Sequence, residues 1–93
     1  MKYIAYFKMK PKDIDTVLTK YNKEILAERK KYPNRYPKPL SPNYAFSIAE
    51  GFRLYEGTEE QLANLAKRWM PEIQMKYVGI FESVDLFEGL ASA

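Results

Sequence analysis

From Lys2 to Lys8 (KYIAYFK), Tyr3, Ala5 and Phe7 point one way and Ile4 and Tyr6 the other, which predicts a first strand that is apolar on both faces. The period then changes. After Pro11 to Asp13, Ile14, Val17, Leu18, Tyr21, Ile25 and Leu26 recur at helical spacing. Arg29, Lys30 and Lys31 close that helix with the sign its dipole favours, and Pro33 forbids continuation. Tyr32 to Asn43 (YPNRYPKPLSPN) has four prolines and no period, and is the longest irregular segment. Tyr44 to Ala49 predicts a second strand, with Tyr44, Phe46 and Ile48 on one face and Ala45, Ser47 and Ala49 on the other. Glu50-Gly51 reads as a tight turn into a third strand, Phe52 to Glu56. Thr58 and Gln61 form a capping-box pattern with Glu59 and Glu60 in the first turn. Leu62, Leu65, Ala66 and Trp69 then make one apolar stripe, with Trp69 read as core, and Pro71 ends the helix. Gln74 to Glu82 returns as a strand, with Met75, Tyr77 and Phe81 on one face and Val78 and Ile80 on the other. The tail from Val84, with Leu86, Phe87 and Leu90, is apolar enough to dock on its own sheet or on a partner.

The order β-α-β-β-α-β predicts one α+β domain over residues 1–93. Its expected form is ferredoxin-like, a four-stranded antiparallel sheet with two helices on one face. The unit from Gly51 to Ser83 is strand, helix, strand, which favours a parallel pair joined by a right-handed crossover. One sheet face is then left without helices, yet the strands are apolar on both sides. Contiguous apolar surface of that extent implies a partner, most simply an identical chain in a two-fold homodimer.

KYIAYFK at the start, then GFRLYEG, a helix, Trp69-Met70-Pro71 and the last strand, carry a resemblance over residues 1–83. The chain resembles the dimeric α/β-barrel superfamily, in which two ferredoxin-like protomers pack sheet against sheet, and within it a group of small members to which no reaction is assigned. The superfamily includes cofactor-free monooxygenases, isomerases and haem-degrading enzymes. The resemblance implies a fold and a dimer rather than a reaction.

The chain contains no histidine and no cysteine. That removes the usual general base, the Ser-His and Cys-His nucleophile pairs, and the usual haem and zinc ligands. No carboxylate set has metal-ligand spacing and no glycine pattern fits a nucleotide loop, so neither metal nor cofactor is expected. No apolar run is long enough to span a bilayer and no leader is visible, so a cytoplasmic protein without membrane partners is expected. Net charge is +3. Residues 1–43 hold eleven Lys/Arg against four Asp/Glu, and residues 44–93 hold four against eight, so the halves are of opposite sign.

Four residues are candidates for a small anionic or aromatic ligand between the paired sheets: Arg53, Tyr55, Tyr6 and Tyr77. Arg53 and Tyr55 share one strand face. If helices cover the Phe52/Leu54 face, both point into the dimer barrel, and Arg53 then needs a carboxylate, a carbonyl or an anionic ligand. A salt bridge to Glu50 or Glu82 would also serve. The alternative reading is a nucleic-acid module using Arg29, Lys30, Lys31, Arg35 and Lys38, which interleave with tyrosines. A second alternative is a cofactor-free enzyme of monooxygenase or isomerase type, for which no catalytic residue is visible.

Overall fold

The computed structural model describes residues 1–92. It is an α+β fold built on an antiparallel sheet, compatible with the ferredoxin-like arrangement. Strand β1 (Lys2–Met9) lies at its centre, paired antiparallel with β4 (Glu50–Glu56) on one side and β5 (Ile73–Ile80) on the other. The strands β4 and β5 therefore run parallel to each other with β1 between them. The crossover between this parallel pair runs through α3 (Glu59–Trp69).

The outer edge of β4 differs most from expectation. Two short strands, β2 (Lys38–Pro39) and β3 (Tyr44–Ser47), both pair with it, so the sheet has five strands rather than four. From Pro39 to Tyr44 this edge advances five residues while β4 moves three, from Tyr55 to Phe52. Pro42 has no N–H for a ladder, so residues 40–43 loop outward. The β4 backbone is still satisfied: Leu40 N donates to Leu54 O at 2.8 Å, and Leu54 N donates to Ser41 Oγ at 3.0 Å. Within the hairpin, the turn falls at Ile48 and Ala49, and Glu50-Gly51 belongs to β4. Gly51 serves close approach instead. A Cβ there would lie 2.6 Å from Phe7 Cζ and would collide with the Tyr44 carbonyl oxygen.

The first helical run has four parts: a 3₁₀ turn (Pro11–Asp13), α1 (Ile14–Lys20), a π-helical turn (Tyr21–Ile25) and α2 (Leu26–Lys31). Val17 and Ile25 are buried, but Leu18 and Leu26, expected on the same stripe, are exposed. The π turn shifts the stripe from Tyr21 onward. It is wider than an α turn, so residues four apart (Val17, Tyr21, Ile25, Arg29) stay closer to one face than the 3.6-residue period would keep them. Helix α3 forms as its sequence predicts. Gln61 N donates to Thr58 Oγ1 at 3.2 Å and Thr58 N donates to Gln61 Oε1 at 2.9 Å, closing the capping box. Leu62, Leu65 and Trp69 are its buried stripe. The tail forms a third helix, α4 (Ser83–Ser92), with Val84 and Leu90 exposed. The expected contributions of Leu86 and Phe87 side chains lie outside what is described.

The core lies between the helices and the odd-numbered sheet face. Ala5, Tyr55 and Ile73 are buried there with Val17, Ile25, Tyr36, Leu62, Leu65 and Trp69. Polar clamps tie the helices to one another. Arg68 Nε sits 2.6 Å from Glu28 Oε2, its Nη2 donates to Glu24 Oε2 at 3.0 Å, and Arg35 Nη1 pairs with Glu28 Oε1 at 3.3 Å. Burial and the neighbouring Glu28 carboxylate raise the Tyr36 hydroxyl above its ordinary pKa.

Candidate functional site

The helices cover the face that carries Arg53 and Tyr55, and the face that carries Phe52 and Leu54 is open. Register fixes this: Ala5 pairs with Arg53 and Tyr77, and Tyr3 with Tyr55, all on the odd face with the core. The condition under which Arg53 and Tyr55 would face a second sheet is therefore not met. Short apolar strands give no signal for which face a helix will choose, because both faces read alike.

Between the helices and this face lies a cavity of about 310 Å³. Its floor is sheet: Phe7 and Met9 from β1, Arg53 and Tyr55 from β4, Ile73 and Met75 from β5. Its walls are helix: Val17, Leu18, Tyr21, Trp69 and, past the π turn, Arg29. Asn43 closes one side from the loop 40–43. Tyr21 and Trp69 stack with ring centroids 6.1 Å apart and planes 12° from parallel, forming one aromatic wall. The lining is largely apolar, and two arginines, Arg29 and Arg53, border it.

Those two arginines differ from the others in the chain. Arg35 and Arg68 are ion-paired to Glu28, and Arg68 also to Glu24. Arg29 and Arg53 have no carboxylate within salt-bridge distance among the described residues, and neither Glu50 nor Glu82 reaches Arg53: Glu50 pairs with Lys8 and Glu82 with Lys2. Arg53 has a carbonyl instead. Its Nε donates to Ser41 O at 2.8 Å, and its guanidinium carbon lies 5.7 Å from the Tyr55 ring centroid. The outward loop 40–43 thus aims a backbone carbonyl at Arg53 and leaves the two terminal Nη groups without a partner among the described residues. Those Nη groups are reached by solvent, and in a largely apolar lining they offer an entering anion two free donors, which suits this cavity to an anion.

The other candidate tyrosines are placed elsewhere. Tyr77 lies on the helix-covered face, but its hydroxyl donates to Leu62 O at 2.8 Å and bolts β5 to α3. Burial and the nearby Tyr55 push that hydroxyl far above its ordinary pKa. Tyr6 lies on the open face, where it stacks on Phe46 at 6.4 Å beside Phe52, at the edge of a shallow depression of about 390 Å³. In the basic segment, Arg29 borders the cavity and also, with Lys38 and Glu56, a second depression; Arg35 is paired and lies 4.1 Å from the Tyr32 ring centroid, and Lys30, Lys31 and Lys38 are exposed. Sequence reasoning named Arg29 only for nucleic acid and missed Tyr21, Trp69 and Asn43 as cavity walls. The spacing Val17, Tyr21, Ile25, Arg29 was the available signal, but it reads as a drifting stripe unless the π turn is known.

No group of three or more carboxylates close enough to hold a metal ion occurs among the described residues, and no helix is long and apolar enough to cross a membrane. Compared with family models, with curated proteins and with solved structures, the chain matched none, so the reading of this site rests on its own geometry.

Proposed function

We propose that this chain binds a small anionic molecule with an aromatic or apolar body in the cavity between its helices and its sheet, and that it does so as a homodimer joined through the open sheet faces. The observation that carries the ligand reading is that Arg29 and Arg53 share an aromatic-walled cavity with no carboxylate to neutralise them. Two cations in such surroundings gain most from a ligand that brings both the missing negative charge and an apolar body. This moves the ligand from the space between two sheets, where the sequence alone had put it, to the helix-covered side.

Support for the dimer comes from the opposite face. Tyr6, Tyr44, Phe46 and Phe52 form one aromatic cluster there, with Tyr44 stacked on Phe52 at 5.1 Å and Phe46 5.5 Å from it. Phe46 is 64% exposed and Val78 40% exposed in the single chain. A domain of this length gains from further burial through association.

Native mass spectrometry of gently purified protein tests both parts. The expected spectrum is a dimer, with added mass of a few hundred daltons or less in each protomer, lost on acid unfolding. A monomer at micromolar concentration would remove the dimer. Unchanged Trp69 fluorescence across a panel of small aromatic anions, with no added mass, would remove the ligand reading.

A further inference from the structure

We infer that the ligand class is a planar aromatic carboxylate, gripped end-on by Arg53, with Arg29 as the second cation; this rests on the cavity being a ligand site at all. The Arg53 side chain is already oriented. Its Nε is occupied by Ser41 O at 2.8 Å, and that carbonyl is fixed because Ser41 Oγ accepts from Leu54 N at 3.0 Å in the adjoining strand. A guanidinium held by its Nε presents its two Nη groups as one planar, two-donor edge. That edge matches the two coplanar oxygens of a carboxylate in a bidentate pair.

The rest of the lining selects the body of the ligand. Tyr21 and Trp69 offer a flat wall, and the Tyr55 ring lies beneath the Arg53 guanidinium. Apart from the arginines, the polar side-chain groups at the cavity are Asn43, the Trp69 indole N–H and tyrosine hydroxyls. A phosphate, with more terminal oxygens and up to two charges, would leave acceptors facing apolar walls. A cavity of about 310 Å³ stands at the small end of ligand pockets, which suits a single substituted ring.

The test is calorimetric titration of the full-length protein with three matched probes: 4-hydroxybenzoate, 4-hydroxybenzamide and phenyl phosphate. The expected order is carboxylate tightest, at least tenfold over the neutral amide and over the phosphate. Arg53→Lys keeps the charge and removes the fork, and is expected to weaken the carboxylate at least tenfold while leaving the amide within twofold. An unchanged thermal midpoint would show that variant to be folded; should it not fold, Arg29→Gln provides the same comparison from the other cation. Phenyl phosphate binding tightest would overturn the carboxylate inference and leave the anion-binding reading intact. Amide and carboxylate binding equally would overturn the inference and the role of charge together. No heat from any probe, and no shift of Trp69 fluorescence, would overturn the underlying reading as well.

Discussion

The two faces of this sheet are built from the same strands and alternate residue by residue, yet they have opposite designs. On the helix-covered face, β1 contributes Ala5, fully buried, and β4 contributes Gly51 and Arg53. One residue along, on the open face, come Tyr6 and Phe52. At this point of the sheet the larger aromatic side chains are therefore outside and the small or charged ones lie beneath the helices, while Tyr3, Phe7, Tyr55 and Tyr77 flank them on the covered face. Small residues beneath a helix layer leave room, and that room is the cavity that Arg29 and Arg53 border. Large flat side chains on the open face leave only a shallow depression beside Tyr6 and Phe46, and make a surface that can be covered by another flat surface. The contrast teaches that apolar content alone does not say which face is core.

Substitutions can be paired across the sheet to break this contrast. Leu65→Ala, at a fully buried position of α3, is expected to cost about 2–5 kcal/mol in a denaturant titration, the usual range for a buried leucine. Gly51→Ala comes next. Its new methyl must displace the Phe7 ring or push β3 from β4, at roughly 1–3 kcal/mol. A cost near zero would mean that β3 is not held against β4 as closely as the register implies.

Much of this fold was legible and the candidate site was not, for identifiable reasons. The α3 capping box, the Leu62/Leu65/Trp69 stripe and the stop at Pro71 are local features, set by residues three to eight apart, and they appear as read. The turn at Ile48-Ala49 was misplaced because Gly51 was taken as a turn residue, whereas its lack of a side chain serves a contact with Phe7 far away in sequence. Strand β2 was hidden in a proline-rich segment that looks purely irregular. The π turn leaves no composition signal, so Arg29 could not be aimed. Arg53 was singled out as a cation in need of a partner, and the carbonyl it meets, Ser41 O, belongs to the loop whose course the sequence did not reveal.

Smaller effects sharpen the contrast. Tyr77→Phe removes the hydroxyl that joins the covered face to Leu62 O, and should cost roughly 0.5–1.5 kcal/mol. Because the folded state raises the Tyr77 pKa above its unfolded value near 10, the contribution of the neutral hydroxyl is complete below about pH 10 and is lost as pH rises further. Wild-type protein should therefore lose stability above that pH more steeply than Tyr77→Phe, which denaturant titrations at several alkaline pH values would reveal. Val78→Ala, on the open face, should change stability by less than about 0.5 kcal/mol in dilute protein. Its cost should grow with protein concentration as the dimer covers it. A cost independent of concentration would leave the open face without a second copy.

The smallest expected effect tests how the helix layer is pinned to the covered face at its rim. Lys20 Nζ lies 3.2 Å from Glu72 Oε2 and donates to Met70 O at 3.3 Å, joining α1 to the start of β5. The Glu72 carboxyl is held below its ordinary pKa, first by a hydrogen bond from its own backbone N–H and then by the Lys20 side chain. A lowered folded-state pKa gives stability that is present above the unfolded value, near 4.3, and is lost as pH falls through the folded one. The stability difference between wild type and Glu72→Gln should therefore be flat from neutral pH down to about 5, then shrink in acid. Carboxyl-carbon NMR titration separates the two causes. In Lys20→Met the Glu72 pKa should rise only part of the way to its ordinary value, because the larger contribution is local to the turn. A complete return would make the long-range pin the dominant force at this rim. The covered face would then be secured by its polar edge as well as by its apolar floor.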